Sequence, residues 1–326
     1  METNPYSEPR QQTVEEFREE VLHLSDGPGT TTDAKIFSDL ERPKVAVVRR
    51  IWPTLPLATR RRLVAQMVEL GEEQIEYNFS RVLKLALRDE DAQIRATAIG
   101  GLWEDQSEDL LAYLLDEALR DDDQLVREAA VRALAHFSQL VVEDEISPRW
   151  FTPLRARLLE LVRGDESLEI RRRALEALAV YTDDPDVTGE IERAYRATDE
   201  TIQMSALYAM GRNLDARWFD TVLQEMENPS PGIRFEATRA IGEFSDPRAV
   251  PQLIEHLGDD DREVQLAAIG SLGRVGGTAP MNVLRRLASS KDDVVREAAE
   301  EALEEATFLS NPLGIDNRIT GPNGRG

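Results

Sequence analysis

Three histidines, His23, His136 and His256, are the side chains of this 326-residue sequence best suited to metal or proton-transfer chemistry. No two of them stand at a spacing, such as i and i+4, by which one helix presents two metal ligands. Cysteine is absent, which removes thiolate metal sites, thiol nucleophiles and disulfides together. No glycine-rich phosphate loop and no Gly-x-Ser-x-Gly elbow occurs. Aspartate and glutamate total 62 against 39 lysines and arginines, so carboxylate pairs arise by chance throughout the chain. Acidic runs such as Asp121-Asp122-Asp123 lack the glycine and distal glutamate of a calcium loop and read as helix caps. The expectation is a protein that is not an enzyme, with no metal and no cofactor, whose chemistry is recognition.

The elements that would position such recognition are periodic. A β-branched residue, usually followed by Arg or Gln, is succeeded by Ala four residues on and by Leu, Met or Ile eight residues on. This happens seven times, at Ile94, Val126, Ile170, Ile202, Ile233, Val264 and Val295. The spacings are 32, 44, 32, 31, 31 and 31 residues, a fixed period with one insertion. A fixed period of this length marks a stacked array of repeats.

One unit shows what repeats. Asp246-Pro247 supplies an N-cap with proline at the first helical position, and the apolar residues from Ala249 to Leu257 then fall three and four apart. Gly258 and Asp259-Asp260-Asp261 end that helix and cap a second, from about Arg262 to Arg274, which stops at Gly276-Gly277. The fold class is therefore all-α, an α-solenoid of stacked antiparallel helix pairs. On each second helix, positions 0, 4, 7 and 8 share one face, and position 7 is Gly, Ala or Ser in every unit. Small residues there let neighbouring helices approach closely. The plus-one residues, Arg95, Arg127, Arg171, Gln203, Arg234, Gln265 and Arg296, flank that face and form a structural row able to reach a carboxylate or a helix-end carbonyl.

The unit Asp123-Gln124-Leu125-Val126-Arg127-Glu128-Ala129-Ala130-Val131-Arg132-Ala133-Leu134 resembles the short HEAT-like repeats of the phycobilisome-lyase type, and the resemblance spans roughly residues 74–306. Tetratricopeptide and ankyrin signatures do not recur. Two enzymatic alternatives come with the resemblance. Lyase-type relatives attach a bilin as paired subunits, but nothing in these residues marks a bilin pocket. Deoxyhypusine hydroxylases with such repeats build a di-iron site from recurring His-Glu dipeptides; this sequence has none, only Glu255-His256 in reverse order. An oxidoreductase inferred from fold would thus lack its ligands. HEAT-like DNA glycosylases need cations along the inner helices, whereas positions plus two and plus six here are neutral overall, so nucleic acid is a poor partner.

Variation between units carries the functional expectation. In three consecutive units the outward plus-two and plus-six positions hold Met204, Tyr208, Phe235, Arg239 and Leu266, the composition of an interface hot spot. This is the expected docking site of a protein partner, and a scaffold or adaptor role follows from it. Charge offers a second, weaker candidate. Residues 1–41 carry net −7, residues 42–88 net +6 and residues 89–326 net −22, and the basic block includes Arg49, Arg50, Arg60, Arg61 and Arg62. It could meet RNA, an acidic protein, the acidic arm, or the glutamate-rich cap of another copy in a self-association.

The ends are expected to differ from the array. Residues 1–35 read as a mobile arm with a short helix at Val14–Leu24, residues 36–73 as a degenerate capping pair, 74–306 as seven repeats with a loop insertion near 140–151, and 307–326 as a disordered tail. Glu300 occupies a position that is apolar or Thr in the earlier units, which marks the last unit as a C-terminal cap. No apolar stretch has signal-peptide or membrane-span length, so a cytoplasmic location is expected.

Overall fold

The computed structural model describes residues 12–24, 30, 32–164 and 166–310. The chain forms two compact units, residues 1–157 and 158–326. In the first lie α1 (Val14–His23), α2 (Arg42–Ile51), α3 (Leu57–Glu73), α4 (Ser80–Ala86), α5 (Ala92–Gly100), α6 (Glu108–Asp116) and α7 (Gln124–Val142), and the division falls within α8 (Phe151–Arg163). The second holds α9 (Leu168–Leu178), α10 (Pro185–Tyr195), α11 (Glu200–Asn213), α12 (Phe219–Glu225), α13 (Pro231–Glu243), α14 (Val250–Glu255), α15 (Arg262–Val275), α16 (Thr278–Leu287) and α17 (Asp293–Ser310). Among the described residues there is no strand. The fold is an α-solenoid of helix pairs.

Each anchor falls on a second helix: α5, α7, α9, α11, α13, α15 and α17. Three residues before the anchor stands the cap. Asp91, Ser167, Asp199, Ser230 and Asp261 accept a hydrogen bond from the anchor's own N–H, Asp292 does the same at Val295, and Asp123 accepts from Leu125. Such caps stabilise a helix by about 1 kcal/mol each, and they give the acidic turns a structural role. All seven plus-four alanines are fully buried, from Ala98 to Ala299.

Close approach is tightest where the sequence pattern was silent. Gly211, Gly242 and Gly273, nine residues after their anchors, face Ala240, Ser271 and Ala302, which are the plus-seven residues of the next unit. A Cβ at Gly242 would lie 2.5 Å from Ser271 Oγ, and one at Gly211 2.7 Å from Ala240 Cα. The small plus-seven residue is thus half of a contact whose other half is glycine. The turn after α15 also needs glycine, since Gly276 and Gly277 have φ of 62° and 86°.

At the N-terminal end, the short helix expected at Val14–Leu24 is present as α1. The N-terminal arm contains a docked helix: Thr13 and Glu16 close a capping box, Phe17 and Val21 are fully buried, and Phe17 meets Phe37 edge-on at 6.3 Å. α1 packs against α2, where Lys44 lies over the Phe17 ring, and Phe37 belongs to the 3-10 turn Asp33–Phe37; residues 1–11, 25–29 and 31 lie outside the described residues. The insertion mainly lengthens a helix, because α7 continues to Val142 and buries Phe137, Leu140 and Val141 before the 3-10 turn Pro148–Trp150. Residues 307–310 continue α17, and the tail from 311 onward lies outside the described residues.

Candidate interaction surface

The plus-two and plus-six positions point away from the packed face, and α11, α13 and α15 leave Met204, Tyr208, Phe235, Arg239 and Leu266 partly exposed. Arg239 lies over the Phe235 ring with its guanidinium carbon 5.6 Å from the centroid and makes a 3.6 Å ion pair with Glu236. Tyr208 and Arg239 share a cleft of about 180 Å³ with Arg212, Glu236, Ala240 and Glu243. Met204, Phe235 and Leu266 lie outside that cleft. Met204 sits over the start of α13, where Gly232 leaves room for its sulfur. The structure therefore joins Tyr208 to Arg239 and Arg239 to Phe235, with Met204 and Leu266 on the flanking helices.

The electrostatics of this face are uneven. Burial pushes the Glu236 carboxyl above the usual carboxylate range; Glu176 adds to this, while Arg239 and Arg172 oppose it. Beside it, Arg172 and Arg173 on α9 clasp Glu169 at 2.6 and 2.8 Å, Arg173 also holds Glu176 at 3.0 Å, and Ser205 donates to Glu176 at 2.7 Å. This face thus combines a largely buried carboxyl, a tyrosine and an arginine-capped phenylalanine.

The basic block is mostly used internally, and Arg62 meets the acidic arm at Asp33. Arg60 is buried and binds both oxygens of Asp89 at 2.5 Å and Glu90 at 2.6 Å, with Trp52 Nε1 donating to the same Asp89 at 2.7 Å. Burial opposes the Arg60 charge, but these hydrogen bonds more than offset it and hold the guanidinium above its usual range. Arg61 takes Asp91 in two bonds of 3.0 and 2.6 Å, and Arg62 takes Asp33 at 2.5 Å. Among the described residues only Arg49 and Arg50 of the five are exposed without an ion pair.

Arg60 turns out to play the plus-one part for the capping pair. In the regular units that residue reaches back to the turn before its own helix: Arg95, Arg127 and Arg234 donate to the carbonyls five and six residues earlier, and Gln203 and Gln265 to the carbonyl six earlier. Arginine adds a second reach. Arg95 grips Asp121 and Arg234 grips Asp259, each in two bonds of 2.7–2.8 Å, onto the next turn along.

One exposed residue escaped the sequence reading. Trp103 is 56% exposed and lines a groove of about 450 Å³ with Ile75, which is 99% exposed, and a smaller one with Arg132 and His136. Its signal was register. Trp103 stands at plus nine, where the next five units have only Ala or Gly.

The histidines hold no metal constellation: among the described residues no three His, Cys, Asp or Glu side chains gather into a metal-binding group. His256 is a buried strut, its ring nitrogens 2.9 Å from the Gln252 carbonyl and 2.7 Å from that of Met226. Nor is any helix among the described residues long and apolar enough to cross a membrane.

Residues 80–148 and 219–304 match the family model of HEAT repeats. In these two segments the chain carries HEAT repeats. A segment of 89 residues is 26% identical to the uncharacterized phycocyanin operon protein Z of Pseudanabaena tenuis (strain PCC 7409), covering 27% of this chain and 44% of that protein. Among solved structures, this chain is similar to yeast importin-beta (Kap95p) at 14% identity and a TM-score of 0.54, over 91% of this chain and 44% of that one. It is also similar to Kap95p in its complex with RanGDP, at 15% identity and a TM-score of 0.52, over 88% of this chain and 45% of the other. The chain spans less than half the length of these importin-beta chains, and at such identity the likeness concerns the fold alone.

Proposed function

We propose that this HEAT-repeat protein is a cytoplasmic, non-enzymatic scaffold or adaptor whose protein partner docks on the outward face of α11, α13 and α15. The observation that carries this reading is the run of Met204, Tyr208, Phe235, Arg239 and Leu266 left partly exposed on successive helices, where an ordinary solvated face would hold Glu, Lys or Gln. Aromatic and arginine anchors of this kind supply most of the binding energy at protein interfaces. Importin-beta, whose repeats this fold resembles, is described in complexes with RanGDP and with Nup1, so a stack of such helices is able to serve protein binding.

The test is affinity capture of partners by the full chain with mass-spectrometric identification, repeated with Tyr208→Glu/Phe235→Glu. The double variant is expected to lose the captured partner while keeping its helical circular-dichroism spectrum. Equal capture by the variant overturns the proposal. Metal analysis and titration with a bilin are expected to find no bound group; a stoichiometric metal or bilin would instead favour the enzymatic alternative.

A further inference from the structure

A groove lies in the 1–157 unit, around the buried Arg60–Asp89 pair. α2, the turn after it and α4 enclose a groove of about 720 Å³. Its apolar surface comes from Val45, Trp52, Pro53 and Leu85, and its cations are Arg49, Arg60, Arg81, Lys84 and Arg88. The two carboxylates of the groove, Asp89 and Glu90, are both bound to Arg60. Lys84 and Arg88 lean outward to Asp105 and Glu117 at 2.7 and 2.6 Å. Arg49 and Arg81 have no carboxylate partner among the described residues, and Arg81 touches only the Leu40 carbonyl oxygen. In a chain of net charge −23, two arginines without acids beside an apolar wall are a local inversion of the surface.

We infer that this groove binds an acidic peptide segment of a partner, with one apolar side chain laid against Trp52, Pro53 and Leu85 and its carboxylates on Arg49 and Arg81. Charge complementarity selects the sign of the occupant, and the apolar wall selects a peptide over a bare anion. A long polyanion is disfavoured, because the cations stop at the groove and the surrounding chain is acidic. The Trp52–Asp89–Arg60 triad fixes the wall in advance, so little ordering is needed on binding. This site shares no residue with the α11–α15 face, and the two proposals stand or fall separately.

Fluorescence anisotropy of the full chain with a labelled Asp/Glu-rich peptide carrying one central phenylalanine tests this. Saturable binding is expected, weakening with added salt and weaker again when serine replaces the phenylalanine. Arg49→Gln and Arg81→Gln are each expected to lower affinity about tenfold, the loss of one charge-assisted bond. Both side chains are exposed, so circular dichroism is expected to be unchanged. Equal affinity of Arg49→Gln/Arg81→Gln and the parent chain overturns the inference, as does indifference to the phenylalanine. Tighter binding of a single-stranded RNA at the same groove, or occupation by a second copy seen as Arg49-dependent self-association in sedimentation, replaces the proposed occupant and also overturns it.

Discussion

Two edges of the same second helices behave in opposite ways. Along the turn edge the same solution recurs: in six of the seven units the cap accepts from the anchor N–H, and the plus-one side chains of Arg95, Arg127, Gln203, Arg234, Gln265 and Arg296 tie back to their own turn, even where glutamine stands for arginine. Along the outward edge no two units carry the same pair of plus-two and plus-six residues, and Glu128, Met204, Phe235 and Leu266 occupy equivalent positions. The turn edge repeats because each unit must solve the same problem of ending one helix, starting another and meeting the next. The outward edge meets neighbouring units only here and there, as where Met204 lies over Gly232 and Ser205 donates to Glu176, so its residues are free to vary.

The contrast is sharpest at the buried end of the turn edge. Asp89→Ala would leave the Arg60 guanidinium and the Trp52 indole N–H without their shared acceptor, and we expect it to cost about 3–5 kcal/mol in chemical denaturation, the largest single effect on this edge. Gly242→Ala follows. Its methyl would press on Ser271, with a cost of about 1–3 kcal/mol and a lowered thermal midpoint; a neutral result would mean that α13 and α15 can slide apart freely.

Arg234→Gln dissects the two reaches of the plus-one residue. It retains the bond to its own turn, as Gln203 and Gln265 do, and loses Asp259, so a loss of about 1 kcal/mol is expected. The hydrogen bond from Arg234 holds Asp259 below the usual aspartate value of 3.8. A depressed carboxylate contributes stability that is fully present above that value and is lost as pH falls through the lower, folded one. Acid titration of stability is therefore expected to be shallower in Arg234→Gln than in the parent, and identical curves would remove Asp259 from the ladder. The smallest effect on stability belongs to the outward edge: Tyr208→Glu is expected to shift unfolding by only about 0.5 kcal/mol while removing partner capture. A large destabilisation there would show that the outward edge is structural after all.

The repeat period, the helix pairs and the capping role of the acidic turns were legible in the residues, because each rests on interactions within a few positions of the chain. The cleft at Tyr208 was legible only as a list of unusual side chains. Its pairing of Arg239 with Phe235 and the raised Glu236 carboxyl depend on which helices lie alongside. Arg60-Arg61-Arg62 is a further case. As a string it left open which acids it would meet, and Asp33, Asp89 and Asp91, each about thirty residues away, neutralise it.

The amino-acid sequence by itself determined that this chain is a stack of helix pairs and which face of each second helix is packed, since periodicity and small residues act locally. Only the tertiary structure decided which charges are spent and which remain free. A salt bridge between adjacent turns is set by the rise and rotation from one unit to the next, and no spacing along the chain encodes whether Arg60 or Arg49 will find a carboxylate there.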